Sequence, residues 1–362
     1  MAQAKRLDWV DTAKGISIIL VVMLYAANSV GEATGGTGFL HYVIGFATPF
    51  RMPEFFLISG LFLSAVIGRD WARFVDRRVV HYLYFYGLWA FILIVVKVAI
   101  LSGEPGRALS WLGWAVIDPY SMLWFIYVLA FFSLTAKIAH AMKIPHWAML
   151  AFAAALQIAP VDGPGYAIDY YAEYLVYFYS GYVFAPQIFK LVDWFISKPL
   201  LIVGALAVWA VLNGTLVFLP EFKAMPDHFE MGYAALPGLH LALALVGALA
   251  VCITASLFSR FDAMNWLRYM GQNSIVIYLA FSLPMAISRE ILLRLGLITE
   301  TGPLSAVVLL IALVSPLVLF WMVKKTGWGT FLFTRPAWAH IPGTPGSLSE
   351  QEKTKAHPVP AE

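Results

Sequence analysis

The chain has 362 residues, 61% of them hydrophobic and only 12% charged, with a mean hydropathy of +0.77. A soluble domain is nearer a quarter charged, so a soluble enzyme is excluded, no nucleic-acid partner is expected, and the lipid bilayer or other membrane helices must face most of the surface. The net charge of +3 says less than where the charges sit, and a single cysteine, Cys252, rules out an intramolecular disulfide.

The N-terminus, MAQAKRLDWVDTAKGISIILVVMLYAANSV, imitates a signal peptide, but Asp8 and Asp11 interrupt its basic region and many apolar runs follow. An uncleaved first membrane helix is the better reading. Ten segments are expected to cross the bilayer, at about 20 apolar residues each. They are 12–30, 50–68, 79–101, 118–136, 147–161, 170–186, 199–219, 236–258, 272–293 and 304–324, the second broken by Pro49 and Pro53. With both termini cytoplasmic, 18 of the 24 basic residues fall inside and 6 outside, which obeys the positive-inside rule. The expected fold is therefore an all-α integral membrane protein of about ten helices. Its membrane body is expected over 1–330, and the Pro- and Gly-rich segment 331–362 reads as a disordered cytoplasmic tail.

Soluble catalytic signatures are missing: there is no G-x-S-x-G, Walker A, G-x-G-x-x-G, H-E-x-x-H or H-x-x-x-x-D. The eight histidines are scattered, so no metal site is expected. Ionisable groups inside apolar runs are the better guide, because each is costly in hydrocarbon. In the first run, Lys14 and Tyr25 lie eleven residues apart, which brings them within about 20° of one helix face and separates them by about 16 Å. Asp11 and Asn28 share that stripe. An interfacial Asp11–Lys14 pair and a packing tyrosine explain it equally well.

The segment RDWARFVDRRVVHYLYFYGLW gathers Arg69, Arg73, Arg77 and Arg78 ahead of His81. It anchors topology, and its guanidinium forks also suit a phosphate-bearing donor. In MPEFFLISG, Glu54 and Ser59 sit beside the proline break, where a broken helix is tolerated if it lines a cavity. Glu54 also stands near Arg51, as an interfacial ion pair would require. Two further stretches, DPYSMLWFIYVLAFF and YAEYLVYFYSGYVFAP, are rich in aromatics, with Asp169 and Glu173 close to the second. Aromatic belts account for much of this. Sugar sites also combine aromatic faces with carboxylates.

In order along the chain, DTAKGISIILVVMLY, MPEFFLISGLFL, RFVDRRVV, SMLWFIYVLAFF, YLVYFYSGYVFAP and MGQNSIVIYLAF resemble the acyltransferase-3 family of bacterial integral membrane proteins, which O-acylate sugars. The family's first helix typically carries a basic residue, ten intervening positions and a histidine, which fall here on Lys14 and Tyr25. Family members often have a further histidine where this chain has Phe281, and an arginine where it has His81. The resemblance implies transfer of an acyl group, often acetyl, from cytosolic acyl-CoA to a surface or secreted carbohydrate across a bacterial inner membrane. Arg73, Arg77, Arg78 and His81 would hold the CoA end, and Lys14 would stabilise charge in the passage. The proton would pass to Tyr25, His41 or Glu54, since an ordinary tyrosine, titrating near 10, is a poor base at neutral pH. The alternative is a non-catalytic family member acting in envelope glycan transport or assembly. Oligomeric state is not legible.

Overall fold

The computed structural model describes residues 7–350. Among the described residues the fold is almost entirely helical; the strands are one short antiparallel pair, β1 (Lys223–Ala224) and β2 (Phe229–Glu230). Six helices are long and apolar enough to cross a bilayer: Asp8–Thr34, Trp71–Leu101, Ser121–Ala141, Pro199–Phe218, Pro237–Phe258 and Thr301–Thr326. A seventh crossing is available if Ser274–Ala280 and Ser282–Leu295, bent by 54°, act as one span.

The other three expected segments are helical but shorter or more polar. Segment 50–68 forms an eleven-residue helix, Arg51–Leu61, followed by turns. Segment 147–161 forms His146–Ile158. Segment 170–186 falls mostly in Tyr166–Val183, which has the length to cross but carries Asp169, Glu173 and a run of tyrosines.

Three elements frame the interior: α1 (Asp8–Thr34), α2 (Phe39–Ala47) and α3 (Arg51–Leu61). Helix α3 is short because it is an inner element. Met52, Pro53, Glu54, Phe56, Leu57 and Ile58 are all buried, so protein rather than lipid surrounds its ends, the setting in which a broken membrane helix is tolerated. Pro53 falls in the first turn, where its missing N–H breaks no helical bond.

Glycines set how closely these elements approach. A Cβ on Gly271 would lie 1.6 Å from the Asp11 carbonyl oxygen, and one on Gly15 would lie 2.1 Å from that of Leu267. Gly60 and Gly181 make the same reciprocal crossing between α3 and Tyr166–Val183. Small residues that let backbones touch are the usual adhesive of membrane helices. Gly15, Gly60, Gly181 and Gly271 each sit in one of the segments that carry the family resemblance, so part of that pattern is packing.

The segment 331–350, read from sequence as part of a disordered tail, returns to the helical body. Arg335 is buried against Asp76, 259 positions earlier in the chain, and the 3-10 turn Ala337–Ala339 leads into residues packed on the same end. Residues 351–362 lie outside the described residues.

Candidate functional site

Helix α1 runs past three cavities in succession. Lys14 lines the first, about 240 Å³, with Phe55, Ser59, His81, Tyr82 and Phe125. About three turns on, Tyr25 lines a chamber of about 160 Å³ with Arg51, Phe125, Tyr170, Tyr174 and Tyr278. Tyr25 also borders a vestibule of about 1000 Å³ walled by Trp111, Trp114, Asp118, Trp124 and Tyr170. Phe125 is common to the first two cavities, and Tyr25, Trp124 and Tyr170 are common to the last two. The stripe seen in the sequence thus borders three neighbouring cavities, with Lys14 on the one near the arginine-rich segment and Tyr25 on both the middle chamber and the vestibule.

The middle chamber is built from aromatic rings that hold one another. Trp124 stacks on Tyr170 at 4.0 Å between centroids, and Phe56 packs on Tyr174 at 5.2 Å and on Phe125 at 4.5 Å. The Trp124 indole N–H reaches the Tyr25 hydroxyl, and the Tyr278 hydroxyl donates to the Met122 carbonyl. The Tyr25 ring meets Phe281 at 5.6 Å. Positions 25 and 281, the two that the resemblance matched to histidines, therefore face each other, and both hold non-basic rings.

Arg51 is the residue that the sequence reading passed over as half of an interfacial ion pair. It is the first residue of α3, and its side chain enters the middle chamber beside Tyr25. Its Nε and Nη1 are sealed from solvent and have no hydrogen-bond partner among the described residues. Tyr174, Tyr25 and Glu173 lie within electrostatic reach of its charge. The signal available in the sequence was a lone cation ahead of a proline-broken helix.

Glu54 turns elsewhere. It is fully buried and accepts a hydrogen bond from the Ser17 hydroxyl, close to Cys252, and it lines none of the three cavities. His41 is also fully buried, under the β1–β2 hairpin, where its Nδ1 accepts the Gly38 amide at 3.1 Å and its ring meets Phe229. Burial pushes its pKa below the usual range, so the ring is neutral. His41 lines none of the three cavities either. The structure brings Lys14 and His81 together, and places Tyr25 further along α1, but it does not bring His41 or Glu54 to Tyr25.

At the arginine end, Asp76 is the organiser. Its Oδ2 accepts from Arg335 Nη2 at 2.5 Å and lies 3.2 Å from His340 Nδ1, while its Oδ1 accepts the Ile341 amide at 2.8 Å. Asp76 opens a π-helical turn, Asp76–Val80, inside the Trp71–Leu101 helix. Such wide turns alter which side chains share a face. Arg77 stays exposed, and Arg78 reaches the Tyr82 hydroxyl at 3.3 Å, at the mouth of the Lys14 cavity. Arg73 lines a separate hollow of about 290 Å³ with Asp70, Pro342, Gly343, Thr344 and Glu350, so the returning segment supplies one wall of it.

A model of the acyltransferase-3 family, described as an acyltransferase domain, matches residues 7–323. No curated protein and no solved structure matches the chain. With nearly all of its length matched, the chain belongs to the acyltransferase-3 family and is a helical, multi-pass membrane protein of that kind.

Proposed function

We propose that this acyltransferase-3 chain is a membrane O-acyltransferase that takes an acyl group, acetyl first among the candidates, from acyl-CoA at its cytoplasmic arginine end. The acceptor is a surface or secreted carbohydrate entering by the vestibule. The observation that carries this reading is the succession of three cavities along α1, neighbours that share Phe125 and then Tyr25, Trp124 and Tyr170 as walls. The chain is taken to cross a bacterial inner membrane ten times with both termini inside, α3 and the shorter helices completing the count.

Each end has chemistry suited to its substrate. Guanidinium forks bind phosphates bidentately, so Arg73, Arg77 and Arg78, with His81 at the cavity mouth, suit the CoA head. The cavity of about 240 Å³ lined by Lys14 and Phe125 lies between the two ends and suits the flexible arm of CoA. Trp111, Trp114 and Trp124, beside Asp118 and Glu104, offer the flat apolar faces and carboxylate acceptors that suit a sugar ring.

Tyr25 is the proton carrier in this scheme. An un-ionised hydroxyl can accept the acceptor's proton while passing its own to the departing sulfur, so it need not act as a free base. Trp124 stands beside that hydroxyl, its indole N–H turned to the same chamber wall. Lys14 offsets negative charge along the arm's path.

The test is mass spectrometry of surface and secreted glycans from cells with and without the chain, paired with transfer of labelled acetyl from acetyl-CoA by the purified protein. An acyl mass increment that vanishes on deletion and is rebuilt in vitro supports the enzyme. Unchanged glycans together with no transfer in vitro would leave a non-catalytic role in glycan transport or assembly.

A further inference from the structure

The strongest unexplained feature of the interior is the Arg51 guanidinium. A cation withdrawn from water costs several kcal/mol unless it is paired, and cations inside membrane proteins usually face a partner or a cavity. Arg51 lines the chamber that Tyr25 lines, and two of its nitrogens, Nε and Nη1, are packed away from solvent without a hydrogen-bond partner among the described residues. Nearby Glu173 sits within electrostatic reach of that charge, yet no ion pair between them forms. Glu54, one turn along α3, is held by Ser17 instead. The chamber, about 160 Å³, has room for roughly five water molecules at about 30 Å³ each, so a small group suffices to fill it.

The geometry points to Arg51 as a catalytic residue that binds the acyl oxygen, taking the carbonyl of the incoming acyl group and then the negative charge that gathers on it during transfer. This assignment rests on the acyltransferase reading above and adds to it the electrostatic component. The acceptor hydroxyl oxygen bonds to the thioester carbon while the C=O π pair moves onto oxygen, opposite the Arg51 N–H donors. That pair then returns to carbon as the C–S bond breaks, and the hydroxyl proton reaches sulfur through Tyr25. No further reactant is needed. Donors already fixed in a dry site stabilise developing charge strongly, because nothing has to reorganise at the moment of reaction. Tyr170, Tyr174 and Tyr278 line the chamber beside Arg51.

The experiment uses the full-length protein in lipid nanodiscs, with Arg51→Gln and Arg51→Lys beside wild type and thermal unfolding as the folding control. In acetyl transfer from acetyl-CoA, Arg51→Gln is expected to lose about 10²–10³ in kcat with the KM for acetyl-CoA little changed, and Arg51→Lys to recover part of the loss. A second readout needs no turnover. S-carboxymethyl-CoA places a carboxylate where the acyl oxygen sits, and Arg51→Gln is expected to weaken its binding by about ten- to a hundred-fold while binding CoA itself as wild type does. Wild-type kcat in Arg51→Gln, or equal loss of CoA and carboxymethyl-CoA binding, overturns the assignment and leaves the acyltransferase reading standing. A wild type that neither transfers acetyl nor binds CoA overturns that reading and the assignment together.

Discussion

Two guanidinium groups, Arg335 and Arg51, sit in opposite situations in the same molecule. Arg335 has a 2% exposed side chain and is tied to the Asp76 carboxylate and main-chain carbonyl, with His340 closing the cluster. Arg51 has the Glu173 carboxyl within electrostatic reach but leaves two sealed nitrogens without an acceptor. A fully paired buried charge is architecture: it fixes where the 335–341 segment lies relative to the arginine cluster. A half-buried cation with unpaired nitrogens, lining a cavity, is prepared for something that arrives. Mutation should separate the two, one residue answering in stability and the other chamber in rate.

The largest effect is expected at the chamber. Tyr25→Phe keeps the ring and its contact with Phe281 but removes the hydroxyl, and acetyl transfer should fall by about 10²–10⁴ with the unfolding temperature unchanged. A wild-type rate in that variant would remove Tyr25 from proton transfer. At the paired site the readout is reversed. Arg335→Ala leaves the Asp76 carboxylate buried without its cation and should cost about 3–5 kcal/mol of stability in thermal or denaturant unfolding. Restoring much of that loss with Asp76→Asn in the same chain would confirm that the cost is the stranded charge. The exposed Glu290–Arg294 pair is the control, and Arg294→Ala should move stability by no more than about 0.5 kcal/mol. If Arg335→Ala were as mild as Arg294→Ala, the contrast between paired and open cations would collapse. On the rate of transfer, no effect is expected at His41→Ala. It loses the acceptor for the Gly38 amide, at about 1 kcal/mol, and should leave acetyl transfer at the wild-type rate because His41 lines none of the three cavities.

Much of the site was legible because a helix repeats every 3.6 residues. That period alone placed Lys14 and Tyr25 on one stripe, and both line neighbouring cavities. The ordered motifs were legible as well, and the helical crossings explain why four of them carry a glycine that meets backbone. The assignments of His41 and Glu54 to the same cavity failed for a different reason. Proximity to a proline break says where a chain bends but not which side chain turns inward; α2 turns His41 under the hairpin, and α3 turns Glu54 toward Ser17. Arg51, three residues from Glu54, occupies the place in the chamber instead.

By itself the sequence determined that the chain lives in a membrane, that it is helical, which family it belongs to and which face of its first helix carries polar groups, since hydropathy, period and motif order are properties of contiguous residues. Only the tertiary structure decided that Asp76 is matched by a residue 259 positions away, that Tyr25 faces Phe281, and that Arg51 is left with open donors. Pairing between distant segments depends on how helices cross, and those crossings are fixed where glycines admit a neighbouring backbone, a condition no local pattern states.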